Sequence, residues 1–167
     1  MDRRKATEAE ASALASGIRL RIIRLTKGEA LTNKELAERL GRDPATTLHH
    51  VRKLVETGFL EPQPPRRGKR GAKEIPYLST GLSWALLCQG SPHHRDIKQA
   101  VLEAYLGEIS EIDVGELLQR RLVLTLGPDA REEFEQRINS LLDEFAARAD
   151  EGGADAFAIY VATYPSR

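Results

Sequence analysis

The chain has 167 residues, 41% hydrophobic and 30% charged, which is enough for one domain plus an extension around an aliphatic core, since aromatics supply only 5%. No apolar run reaches the roughly 18 to 20 residues of a bilayer-spanning helix, and Met1–Lys5 lead into Glu8 and Glu10 rather than a secretory segment, so a cytoplasmic protein with no membrane partner is expected. The net charge of zero hides a division: residues 1–80 carry 17 Lys+Arg against 10 Asp+Glu, and residues 81–167 carry 8 against 15, so the first half suits a polyanion and the second does not.

From Glu8 to Leu25 the pattern is helical, with Leu14, Ile18, Ile22 and Leu25 at three- and four-residue steps and Gly17 as a break point. Thr32-Asn33-Lys34-Glu35 has the form of a capping box, Leu36, Ala37 and Leu40 form a narrow apolar face, and Gly41 is placed to end that helix in a left-handed conformation. Asp43-Pro44 starts a second helix almost at once, as an N-cap followed by proline at the first helical position. Its spacing assigns Leu48, Val51, Leu54 and Val55 to the packed face and Thr46, His49, His50 and Lys53 to the outward one.

Gly58 stops this helix, and Phe59-Leu60 begins a strand that is expected to pair with Ile75–Leu78. Between them, Pro62, Pro64, Pro65, Gly68 and Gly71 exclude regular structure, while Arg66, Arg67, Lys69, Arg70 and Lys73 make the loop basic. Two helices joined by a tight turn, followed by a basic hairpin, can place a helix in the major groove and a wing beside it. Alone, a charge run of this kind is a solvated linker. Its position after the two helices assigns it to phosphates or a narrow minor groove.

The run from Leu31 to Gly41 and from Asp43 to Leu60 resembles the ArsR-type winged helix-turn-helix regulators of bacteria. Within it His50, Leu54, Gly58 and Leu60 match the recognition helix leading into the wing, while Thr47 stands where an apolar residue is usual, with the apolar position displaced to Leu48. The resemblance covers residues 10 to 80 and implies a homodimer that binds an inverted repeat in double-stranded DNA, in many members with a ligand or metal controlling release. The expected DNA contacts are Ala45, Thr46, Thr47, His49, His50 and Lys53 on the recognition helix, and Arg66, Arg67, Lys69, Arg70 and Lys73 on the wing.

Residues 81–167 are expected to form a helical connector, His93–Ile112, and then a strand at Arg120–Leu126, a helix at Pro128–Asp150 and a strand at Ala156–Thr163. The fold class is therefore mainly α with small β, with a winged helix-turn-helix domain at 1–80 and a dimerisation or effector-binding segment at 81–167. Leu102, Leu106 and Ile109 read as helix packing positions and dimer contacts, and Trp84 as a core or interface anchor. Phe134, Ile138, Leu141, Leu142 and Phe145 form the apolar stripe of the last helix.

No metal site or cofactor is expected. Cys88 is the single cysteine, and His93 and His94, adjacent on a helix, point about 100° apart and so join Asp96 poorly as ligands. A phosphate loop, a GxSxG elbow, HExxH and CxxC pairs are all missing, and Gly68-Lys69-Arg70-Gly71 has the wrong spacing for the first, so no enzyme activity is expected. Two alternatives to a DNA-binding homodimer stay open: a winged-helix module for protein contact, and a sensor whose C-terminal segment binds a small-molecule effector.

Overall fold

The computed structural model describes residues 3–68, 71–148 and 157–166. The chain divides into two compact units, Asp2–Ile112 and Asp113–Arg167, so the first extends well past the boundary at residue 80 that composition suggests. The connector helix belongs to that first unit because its apolar face is packed there.

In the first unit, β1 (Arg4–Lys5) leads into α1 (Glu8–Leu14) and α2 (Gly17–Leu25), so the long helical pattern breaks one residue ahead of Gly17, at the N-cap Ser16. A capping box starts α1: Glu10 N–H donates to Thr7 Oγ1 at 3.2 Å, and Thr7 N–H donates to Glu10 Oε2 at 2.8 Å. Arg19 closes the other end by donating to the carbonyls of Ala13 and Ser12, at 2.5 and 2.8 Å. Next come β2 (Leu31–Thr32), α3 (Asn33–Leu40), α4 (Pro44–Glu56) and β3 (Leu60–Pro62). The wing strands β4 (Arg66–Arg67), β5 (Lys73–Glu74) and β6 (Pro76–Ser79) follow, then β7 (Leu86–Leu87) and α5 (His94–Ile109).

The main sheet has the order β2-β6-β3, all antiparallel, with Leu60 opposite Ser79 and Leu31 opposite Tyr77. β1 pairs in parallel with β7, and Arg3 lies over the Trp84 ring at 4.5 Å; Trp84 is thus a part-exposed partner of the N-terminal segment rather than a core residue. Ile22, Leu31, Leu36, Val51, Leu54, Phe59 and Leu60 form the centre of a continuous core with Ala11, Leu14, Leu86 and Ile97. At roughly 1.5 to 3 kcal/mol for each fully buried large apolar side chain, this core dominates the stability of the unit.

α5 packs through Ile97, Ala100 and Ala104, not through Leu102 and Leu106, which are exposed. The small residues let α2 approach closely: a Cβ at Gly17 would meet Glu103 Cβ at 3.2 Å and the Ala100 carbonyl at 3.3 Å. Ion pairs of Arg21 with Glu111, at 2.6 Å, and of Arg24 with Glu108 flank that contact.

Among its described residues the second unit holds one α-helix, α6 (Pro128–Arg148), preceded by a 3-10 turn at Val114–Glu116. The strand expected at 120–126 does not form, nor does one over 157–163; Ala156 lies outside the described residues. Neither segment has a hydrogen-bonded neighbour strand among the described residues, so strand propensity there is not matched by a partner. None of the large apolar residues there is buried. Among the described residues, no helix is long and apolar enough to cross a membrane.

Candidate nucleic-acid interface

α3 and α4 are joined by Gly41 and Arg42. Gly41 takes a left-handed conformation, φ 60° and ψ 38°, which lets its N–H and that of Arg42 satisfy the last carbonyls of α3. Thr32 and Glu35 form the expected capping box at the start of α3. Asp43 caps α4 by accepting from the amides of Ala45 and Thr46 at 2.9 and 3.0 Å, and Asn33 Nδ2 donates to the Pro44 carbonyl at 2.9 Å, tying the start of one helix to the start of the other. The angle between the helices is thereby held by backbone-directed bonds at both N-termini.

α4 buries Thr47, Val51 and Leu54. Val51 and Leu54 pack as expected, and the core face differs in the first turn: Leu48 is only half-buried, and Thr47 takes the apolar slot because its hydroxyl donates back to the Asp43 carbonyl at 3.0 Å. Thr47 is 1% exposed and cannot face a duplex. Ala45, Thr46 and His49 are exposed, with His50 and Lys53 half-buried beside them. Arg52 is exposed as well, and the steps 45, 49, 52 place it on the same face; helical spacing alone could have found it.

The histidines differ. His49 faces out, its ring 5.8 Å from that of His50 in an edge-on arrangement. The Nδ1 atom of His50 is buried with no hydrogen-bond partner, and burial, assisted by the positive charge of Arg19, lowers its pKa below the usual histidine value. Burial thus disfavours the charged form of His50, which makes it a poorer partner for phosphate than an exposed cation.

Where the sequence suggests an irregular loop, the wing is built as a second short hairpin. Arg66 pairs with Glu74 and Arg67 with Lys73 in antiparallel register, and Gly68 N–H donates to the Ala72 carbonyl at 2.8 Å. Arg66, Arg67 and Lys73 are exposed, as expected of phosphate contacts, while Lys69 and Arg70 lie outside the described residues. Arg66 also forms an ion pair with Glu35, the capping residue of α3, and so fastens the wing to the helix-turn-helix. Glu35 is held below the usual carboxylate range first by the Thr32 amide and also by Arg66. A shallow groove lined by Arg52, Val55, Pro62, Ile75 and Tyr77 runs between α4 and the wing. The site thus joins a polar helix face to an exposed basic hairpin across one continuous surface.

Among the described residues no group of three or more His, Cys, Asp and Glu side chains is arranged to hold a metal ion. His93 and Asp96 approach to 3.9 Å without a further ligand in such a group.

A family described as a helix-turn-helix domain matches residues 14–63, which span α2 to β3. Solved structures similar to the chain include Lactococcus lactis ZitR, a C30AH42A mutant, at 17% identity, covering 78% of this chain and 75% of that one with a TM-score of 0.36. The apo form of the same mutant matches at 18% identity, covering 81% and 86% with a TM-score of 0.36. The zinc-dependent MarR family transcriptional regulator AdcR, in its Zn(II)-bound state, matches at 20% identity, covering 77% and 74% with a TM-score of 0.34. No curated protein matches significantly. The helix-turn-helix match, on a mainly helical chain with small winged sheets, supports a DNA-binding transcription regulator.

Proposed function

We propose that the chain is a sequence-specific double-stranded DNA-binding regulator of transcription, of the ArsR-like kind, acting as a homodimer on an inverted repeat. One observation carries the reading: α4 turns Ala45, Thr46, His49 and Arg52 to solvent beside an exposed basic wing, all within a unit of helix-turn-helix form. Thr46, His49 and Arg52 offer base-edge donors and acceptors, and a good bidentate contact discriminates by about 1 to 3 kcal/mol. Arg67 and Lys73 neutralise phosphates, while Arg66 is shared between phosphate and Glu35. In a symmetric pair the two α4 helices address successive major grooves, about 34 to 36 Å apart. The role is binding, with no catalytic step.

The test is fluorescence anisotropy on random and genomic duplexes across a salt series, repeated with Arg66, Arg67, Lys69 and Arg70 all changed to alanine. Tight binding to some duplexes is expected, with a salt slope that flattens in the variant by about 3 to 4 per subunit and about 7 for the dimer, since each phosphate contact contributes roughly 0.9 to the slope. Absence of binding to every duplex at low salt would overturn the reading and favour a protein partner for the same surface.

A further inference from the structure

We infer that residues 118–126, α6 and residues 157–164 form the seat of a second copy of this chain, the two copies pooling their extended segments into one sheet with the α6 helices against it. The inference rests on the homodimer reading above and names the surface that makes it.

The sequence pattern comes first. Leu118, Leu122, Leu124 and Leu126 fall at even steps, and Phe157, Ile159 and Val161 do likewise, so each segment presents large apolar side chains to one side when extended. α6 adds Phe134, Ile138, Leu141 and Phe145 along one helical stripe. In the single chain this surface is open: Leu122 is 76% exposed, Phe157 80%, and Phe145 50%. Leu124 and Leu126 lie against Phe134, Ile138 and Leu141 around an open groove rather than a closed core.

Magnitudes select the occupant. Thirteen large apolar or aromatic residues on these three segments are 37% to 84% exposed, a surface on the order of the roughly 800 Å² that each partner of a specific protein interface buries. A monomer rarely exposes more than a few hundred Å² in one patch. Within the single chain the two segments are not paired with each other as strands, so neither covers the apolar side of the other. A second copy supplies two more strands and a second helix of identical shape, and a two-fold axis makes the surface complementary to itself.

The polar side of α6 fits this arrangement. Arg131 pairs with Glu135 and Glu133 with Arg137, so the charges that border the apolar groove at Glu133 and Arg137 are paired with each other within the helix. A nucleic acid is a poor occupant, since residues 81–167 carry 15 acidic against 8 basic side chains.

The test uses the full chain. Sedimentation at micromolar concentration is expected to show a dimer, and the double variant Leu124→Glu with Val161→Glu is expected to raise the dimer dissociation constant by at least about 100-fold. Leu106→Glu, on the exposed face of α5, is expected to leave it within a few-fold. Hydrogen exchange on the unaltered protein guards against a variant that misfolds: amides of residues 120–126 and 157–163 should be protected at dimer concentrations and lose that protection on dilution. A dimer that survives the double variant, or whose amides in these segments exchange freely, or that Leu106→Glu dissociates instead, overturns the inference and leaves the homodimer reading standing. A monomer at every concentration overturns both.

Discussion

The two units of this chain contain similar kinds of residues and reach opposite results. In Asp2–Ile112, short helices with firm caps converge on Phe59, Leu54 and Ile22, none of them more than 1% exposed. In Asp113–Arg167, α6 is longer than any helix of the first unit and carries a clear apolar stripe, yet Phe134 and Leu141 stay open to solvent. α6 is held by local interactions: ion pairs Glu133–Arg137 and Glu144–Arg148 have the acid four residues before the base, the orientation that also suits the helix dipole. Such pairs contribute only about 0.3 to 0.5 kcal/mol each, so amphipathic pattern makes a helix but does not by itself make a core.

The strongest way to break this contrast is to remove an aromatic side chain from each unit. Phe59→Ala should destabilise the first unit by about 3 to 5 kcal/mol, a large part of the stability of a domain this size. Phe145→Ala should leave thermal unfolding of that unit unchanged within a degree or two while weakening self-association. Calorimetry with sedimentation measures both. Equal losses of thermal stability from the two substitutions would mean that the units share one core.

A smaller effect sharpens the picture of how the first unit is fastened. Glu10 is buried, bonded to Arg4 at 2.6 and 2.8 Å and to Thr7, and its pKa is lowered to about 2, chiefly by the Arg4 hydrogen bonds. A carboxyl whose folded pKa lies below its unfolded one stabilises the fold above the unfolded value, near 4.5, and loses that contribution as pH falls toward about 2. Glu10→Gln should therefore cost about 1 kcal/mol at neutral pH, in the range of a lost cap, and lower the melting temperature by a few degrees. Between about pH 4.5 and 2 the difference from the unaltered protein should shrink. A difference constant across that range would show that Glu10 acts through packing and not through its charge.

These same features mark what could be read from the residues alone. The capping box at Thr32, the glycine stop at Gly41 and the Asp43-Pro44 start are local chemistry, decided within four residues, and each stands where the sequence puts it. The basic face of the wing was legible for the same reason, although β4 and β5 were not, because two-residue strands among prolines and glycines leave no periodicity. The strands expected at 120–126 and 156–163 depend on partners distant in sequence, and β-propensity cannot say whether a partner is present. Arg52 lies one helical step from His49 on the exposed face, a position that the 46, 49, 50 and 53 spacing alone does not include.

The smallest predicted effect concerns Thr47, where period and composition disagree. A helical wheel centred on Leu48 turns Thr47 outward, whereas the fold buries it, because a threonine in a helix satisfies its hydroxyl on the carbonyl four residues back and then presents a methyl group like that of valine. Thr47→Val keeps the shape and removes that bond, so stability should change by no more than about 1 kcal/mol in either direction. DNA affinity should stay within about twofold, while Thr46→Ala or His49→Ala on the exposed face should each lower specific affinity about tenfold without altering binding to random duplex. Anisotropy with the three variants on one specific and one random duplex separates the two rotations. A tenfold loss from Thr47→Val, with Thr46→Ala silent, would turn α4 by a full position and hand the base contacts to the other set of side chains.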